Sequence, residues 1–294
     1  VQGQAEEMLR QLEDRAQPLL GIARQDQYDA FTFGHSLRVA MLSLYFARQL
    51  TQDRELLVRI GTAALLHDVG KALIPFEILH APGALSAEQR REMSRHAELG
   101  ASCLLDHRDS DPLAIVAAFG HHRGPDGSGY PRTAHAHEGS IVTGIVKICD
   151  VFEALTAARP YKQPMSPIRA YRIMLAMGDQ LDRRLLRRFV EVIGVYPVGQ
   201  HVELDGGEVA VVREQSGDAR RPIVQLLWPE AEATADEATL RRDPQTHEAD
   251  DADDGTPKRQ LDLSQPAHAA RRIVRELTPA ECEARRRVGS VSLR

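Results

Sequence analysis

The sequence predicts an all-α helical bundle with a small C-terminal β appendage and a disordered tail. Three observations carry this expectation. From about Phe31 to Gly194 nearly every segment repeats its apolar residues at helical spacing. At Tyr196 the pattern changes to short β-like runs separated by a turn. From Ala231 onward Ala, Asp, Glu and Arg dominate, a composition that cannot bury a core.

Taken in order, residues 1–27 form an N-terminal helix segment. Over residues 1–24, Leu9, Leu12, Ala16, Leu19 and Ala23 recur near heptad spacing, while Pro18 would kink a continuous coiled coil. That leaves a packing helix and a dimer stalk both open. The helical domain spans 28–195. The stretch HSLRVAMLSLYFARQL places Leu37, Ala40, Met41, Leu44 and Leu50 on broadly one side, and RELLVRIGTAALLHDVG is a buried helix expected to stop at Gly70. Ser86 and Gln89 have capping-box spacing, opening the helix expected to hold His96. Asp111-Pro112 starts another helix, which runs into His121-His122. Residues Gly124 to His137 are a Gly/Pro-rich loop, and helical pattern resumes at Asp150–Ala158, Pro167–Met177 and Asp182–Ile193. The β appendage covers 196–230, with strands at His201–Leu204, Glu208–Glu214 and Ile223–Trp228 and a hairpin turn at Asp205-Gly206-Gly207. The tail, 231–294, contains an acidic knot (Asp250, Asp251, Asp253, Asp254) and a short helix over Ala269–Leu277.

Composition limits the function classes. An apolar fraction of 43% over 294 residues is enough for one large domain and an appendage. With 37 basic against 42 acidic residues, the chain lacks the basic excess of a protein that coats long nucleic acid. Cys103, Cys149 and Cys282 are widely separated, as expected of free thiols in a reducing compartment. No stretch approaches the ~18 apolar residues of a membrane span, and no secretory pattern opens the chain; a cytoplasmic location is expected. The chain begins at Val1, which leaves room for an upstream sensory domain.

The chemistry lies in seven candidate metal ligands between residues 35 and 150: His35, His67, Asp68, His96, His121, His122 and Asp150. Five imidazoles and two carboxylates exceed what a single ion uses, so the set points to two metals. If Asp68 bridges, the set supplies about eight of roughly twelve positions around two octahedral ions, leaving room for a bridging hydroxide and two substrate oxygens. Protein-held metal pairs of this kind align hydroxide for in-line attack on phosphoesters. A lone His-Asp dipeptide is ordinarily a surface pair. Lys71, three residues beyond Asp68, and five further ligands at helix-sized intervals reverse that reading, with the Lys71 ammonium placed beside a bound phosphate. In HHRGPDGSGYP, Gly127 and Gly129 allow positive φ and Pro131 stiffens the exit. Tyr130 then sits on a rigid loop, either stacking on a base and donating to phosphate or serving as a plain loop anchor. Arg159 and Lys162 follow the last ligand, where a guanidinium can grip phosphate in bidentate fashion; a solvated basic turn is the alternative.

HDVGK, RHAELG, HHxxxDGSGYP and KICDVFEALTAARPYK resemble, over residues 28 to 195, the HD-GYP family of bacterial cyclic di-GMP phosphodiesterases. YPVGQHVEL is similar to the extension that often follows that domain. The resemblance implies an HD-type helical bundle and two divalent ions, iron or manganese. It implies hydrolysis of cyclic di-GMP to linear pGpG, or on to GMP, and signalling partners such as diguanylate cyclases. By position it assigns the seven ligands as above, Lys71, Arg159 and Lys162 to phosphate, and Tyr130 to the GYP loop, with Asp68 and Lys71 the catalytic pair. Two departures stand out. Arg123 occupies the place of the usual Glu after the histidine pair, and Phe31 lies where some members carry a Glu for a third metal. Two rival readings are a mononuclear HD nucleotidohydrolase, for which His96, His121 and His122 are superfluous, and a non-catalytic cyclic-dinucleotide sensor or protein-interaction module. His80, His107, His135, His137, His201, His247 and His268 fit no ligand spacing.

Overall fold

The computed structural model describes residues 1–14, 31–81, 83–133, 140–157, 164–227, 260–278 and 280–285. The chain divides into two compact units, Val1–Gly199 and Gln200–Arg294. Among the described residues no helix is long and apolar enough to cross a membrane.

The first unit is helical. Among the described residues its helices are α1 (Gln2–Asp14), α2 (Phe31–Ala47), α3 (Arg54–Leu66), α4 (Phe76–Leu79), α5 (Ala87–Ser94), α6 (His96–Leu105), α7 (Pro112–Gly120), α8 (Ile141–Thr156), α9 (Pro167–Ala176) and α10 (Arg183–Ile193). The helix starts are written in the sequence. Asp53, Asp111, Ser140 and Asp182 each accept a hydrogen bond from a backbone N–H of the first turn, and Ser86 and Gln89 form both halves of a capping box. Such caps contribute about 1 kcal/mol each. α1 packs on α3 with Ala5 fully buried; the rest of the heptad-like stretch, including Pro18, lies outside the described residues.

Two helix boundaries differ from expectation. α3 stops at Leu66, before His67-Asp68, and the chain continues as a 3-10 helix over Val69–Leu73. Gly70 is therefore not the helix stop. A Cβ there would collide with the backbone carbonyl oxygen of His96, so glycine is what lets the turn after Asp68 touch the start of α6. The capping box opens α5, which ends at Ser94, and His96 begins a separate helix after a break at Arg95.

The core of this unit fixes the helices that carry the candidate ligands. Phe46 on α2, Phe152 on α8 and Phe189 on α10 meet edge to face, with ring centroids 5.2–5.3 Å apart. Tyr171 on α9 stacks on Phe152 and donates its hydroxyl to the carbonyl of Gly194, where α10 ends. With Phe152, Ile145, Ile148 and Cys149 turned into this core, the polar residues of α8 are left on another face.

The second unit is a five-stranded antiparallel sheet. Its strands are β1 (His201–Leu204), β2 (Val209–Glu214), β3 (Ile223–Leu226), β4 (Gln260–Asp262) and β5 (Ile273–Leu277), in the spatial order β4-β3-β2-β1-β5. The hairpin at Asp205–Gly207 forms as expected, with Gly207 at φ 88°. Two strands come from the segment read as tail, and the helix expected over Ala269–Leu277 is instead β5. Its pairing along β1, closed by buried Leu277, outweighs local helical composition. The Arg221 guanidinium donates to the carbonyls of Leu263, His268 and Arg271, and so holds the loop between these two strands. Residues 228–259 and 286–294, with the acidic knot and Trp228, lie outside the described residues.

Candidate metal centre

Every candidate ligand comes from a helix end or a helix face of the first unit. His35 stands on α2, and Asp150 on the polar face of α8. His67-Asp68 forms the turn after α3, His96 opens α6, and His121-His122 closes α7. Helix ends are where adjacent residues can diverge and still converge on one point, which a regular helix forbids.

The seven donors fall into two groups, His35, His67 and Asp150 in one, Asp68, His96, His121 and His122 in the other, each with ligand atoms within 4.8 Å of one another. Asp68 lies between them. Its Oδ2 is 3.5 Å from His35 Nε2 and 3.3 Å from His67 Nε2. Its Oδ1 is 3.3 Å from His96 Nε2 and 3.6 Å from His121 Nε2. His35 Nε2 is also 3.1 Å from Asp150 Oδ1.

Behind the rings, Nδ1 atoms are tied down. His67 donates to the carbonyl of Ala64 (2.7 Å), His96 to that of Met93 (2.7 Å), and His121 to those of Ala117 and Ala118 (3.0 and 3.1 Å). His35 differs: its Nδ1 lies 2.5 Å from Oε2 of buried Glu153, whose Oε1 accepts from Arg38 Nε at 2.6 Å. These bonds turn the Nε2 atoms of His35, His67, His96 and His121 toward Asp68. His67 Nε2 and Asp68 Oδ1 are buried with no hydrogen-bond partner, a costly state for atoms with nothing to bind. Imidazole and carboxylate donors with orphaned inward atoms fit a divalent cation.

The electrostatics agree. Burial disfavours charge on His35, yet hydrogen bonds to Asp150, Asp68 and Glu153 outweigh it and push its pKa up to about 11. A field that holds a proton so firmly is one that attracts cations. Burial likewise works against the Asp68 carboxylate, but His67 and Lys71 hold it well below the usual range, and His35 does the same for Asp150. Burial, reinforced by His121, lowers His96 to about 4 and pushes His122 down, so both rings are neutral donors at pH 7. Tyr130 is raised by burial and then by Asp68 and Asp150, which keeps its hydroxyl protonated.

One side of the centre is open. Asp150, His122, Tyr130 and Lys71 are partly exposed, whereas His67, Asp68, His96 and His121 are buried. The Tyr130 ring lies against His122 at a centroid distance of 4.5 Å and edge-on to His96 at 5.9 Å. Its loop is closed by Gly124 N–H on the Ser128 carbonyl (2.8 Å). Gly129, at φ 86°, passes so near the His122 carbonyl that a side chain cannot fit. Lys71 ion-pairs with Asp68 Oδ2. Arg123 donates to Thr133 Oγ1 at 2.8 Å, tying the two ends of the loop. The side chain of Phe31, and Arg159, Lys162, His135 and His137 altogether, lie outside the described residues.

Sequence reasoning missed Glu153, Arg38 and Lys147. Lys147 donates to the His122 carbonyl at 3.2 Å. The signal was spacing: Lys147 and Glu153 lie three residues either side of Asp150, and Arg38 three beyond His35, so each shares a helix face with a ligand.

A family model described as an HD domain matches residues 8–185. The chain belongs to the HD domain family. Its relatives include a cyclic di-GMP phosphodiesterase of Pseudomonas aeruginosa, 37% identical over 199 residues, covering 68% of this chain and 48% of the relative. A cyclic di-GMP phosphodiesterase of Thermotoga maritima is 35% identical over 182 residues, covering 60% and 49%. A 3′3′-cGAMP-specific phosphodiesterase of Vibrio cholerae is 38% identical over 149 residues, covering 51% and 32%. The chain thus spans about half the length, or less, of these relatives. The HD domain fold is shared with an HDG"Y"P protein of Bdellovibrio bacteriovorus (TM-score 0.55, 18% identity, 65% of this chain and 62% of that one). The family found by comparison agrees with the HD-type helical domain that the motifs implied.

Proposed function

We propose that this chain is a metal-dependent phosphodiesterase that opens cyclic di-GMP to linear pGpG. The observation that carries the reading is Asp68, whose two carboxylate oxygens face different histidine pairs. This supports two divalent ions, iron or manganese, with His35, His67 and Asp150 on one, His96, His121 and His122 on the other, and Asp68 shared. Such a pair supplies Lewis-acid activation of water and of a phosphoryl oxygen.

The chain's own residues supply position and protons. Asp150, His122, Tyr130 and Lys71 line the open side, where a phosphodiester enters. The Lys71 ammonium, now on Asp68, is within reach of an anionic oxygen there, and the neutral Tyr130 hydroxyl can donate to phosphate or its ring can stack on a base. Arg159 and Lys162 complete the phosphate grip in this reading. Diguanylate cyclases, which make what this enzyme would consume, are the partner class it names.

The test is to incubate the purified chain with Mn²⁺ or Fe²⁺ and either cyclic di-GMP or 3′3′-cGAMP, then separate the products. Linear pGpG as first product supports the reading. Preference for 3′3′-cGAMP, the substrate named for the Vibrio cholerae relative, would move the substrate assignment. Binding without turnover would make the chain a sensor.

A further inference from the structure

Of the four candidate-ligand rings whose Nδ1 is held, three lean on carbonyls of their own helix or turn, three or four residues away. His35 alone leans on a charge from another helix, Glu153, 118 residues along the chain. Glu153 is 3% exposed and Arg38 occupies its other oxygen. Resting on the two-ion reading above, we propose that Glu153, held by Arg38, is the positioning residue for His35 and makes the His35–His67–Asp150 group the tighter of the two cation sites.

The geometry gives the reason. With Nδ1–H committed to the carboxylate, His35 can only present Nε2 toward Asp68 and Asp150. A full negative charge behind an imidazole also makes it a stronger donor than a carbonyl dipole does. Arg38 does two things. It neutralises a buried carboxylate that would otherwise be costly, and it keeps Glu153 turned away from the donor cluster, to which it does not belong. His35 and Arg38 share one face of α2, and Asp150 and Glu153 one face of α8, so the four residues also fix these helices in register.

The test uses the full chain loaded with Mn²⁺. Elemental analysis counts ions, chelator competition measures each affinity, and electron paramagnetic resonance separates a spin-coupled pair from a single ion. The wild type is expected to hold two coupled ions. Glu153→Gln keeps shape and an acceptor oxygen but loses the charge, and should weaken one ion about 10- to 100-fold. Glu153→Ala should leave a single uncoupled ion, and Arg38→Gln should fall between wild type and Glu153→Gln. Circular dichroism should be unchanged throughout. Glu153→Gln with both affinities at wild-type values overturns the assignment, as does equal weakening of both ions, which marks a merely structural role. Should Glu153→Ala fail to fold, the near-isosteric Glu153→Gln decides alone. A wild-type chain that takes up no Mn²⁺ overturns the two-ion reading, and this assignment with it. Two ions in the wild type with no effect of Glu153→Gln overturns this assignment only.

Discussion

His35 and His96 lie on opposite sides of Asp68, and what stands behind each ring differs in kind. Behind His96 is the carbonyl of Met93, and behind His121 those of Ala117 and Ala118, all within one turn of the ring they hold. Behind His35 is Glu153 on α8, with Arg38 behind that. The first half of the centre is thus assembled by helix ends, and its support cannot be removed by changing a side chain. The second half is assembled by packing α2 against α8. Local backbone geometry survives most substitutions, whereas a long-range ion pair depends on the Phe46–Phe152–Phe189 core that keeps two helices in register.

The largest expected effect removes the residue common to both halves. Asp68→Ala should lose both ions and lower turnover more than about 100-fold, the upper end of losses from supporting residues alone, with helical content intact. Near wild-type activity in that variant would end the shared-carboxylate reading. Next come the two halves separately. His35→Ala and His121→Ala should each leave about one ion per chain, and chelator competition should show a different affinity for the ion that remains. Identical residual affinities would mean that the halves are equivalent. A smaller effect is expected from Gly70→Ala. The new methyl must push the start of α6 away from the turn after Asp68. It should cost about 1–3 kcal/mol of stability and weaken the ion on the His96 side more than the one on the His35 side. Equal weakening would place the strain elsewhere.

The parts of this centre that could be read from sequence follow the same division. The candidate ligands were legible because imidazoles and carboxylates are chemically distinctive, and because Asp111 and the Gly-rich loop bracket the helix that ends at His121-His122. Glu153 was visible in the chain but not its role, since an acidic residue on a helix is ordinarily solvated and nothing local says that His35 lies opposite. Gly70 was mistaken for a helix stop because glycine serves both as terminator and as a point of close approach, and only the position of His96 distinguishes the two. The break at Arg95 left no local mark, because the capping box at Ser86 and Gln89 announces only where a helix starts. The fifth strand was missed for a related reason: Ile273–Leu277 is strand because β1 is its neighbour, and pairing of that range is not encoded in a local window.

The smallest expected effect concerns a pair that joins the two halves from outside. Asp111 caps α7, which carries His121, and accepts from Arg59 on α3, which leads to His67-Asp68, at 2.7 and 3.2 Å. Burial alone would raise the Asp111 pKa, but Arg59 and the Leu113 N–H outweigh it and hold it below the ordinary value. A carboxylate lowered in the folded state contributes stability that is complete above its unfolded pKa of about 3.9 and is lost as pH falls through the folded value. Asp111→Asn keeps a capping oxygen and removes the charge. It should therefore cost less than about 1 kcal/mol at pH 7 and cost progressively less as the pH is lowered below about 4. Asp111→Ala should cost roughly 1 kcal/mol more through loss of the cap, at either pH. Because the pair only braces α7 against α3, the affinity for the ion on the His121 side should change by no more than about fivefold, the equivalent of 1 kcal/mol. Chemical denaturation at pH 7 and pH 3 measures the first effect, and chelator competition the second. A stability gap between wild type and Asp111→Asn that is as wide at pH 3 as at pH 7 would assign it to something other than the ion pair.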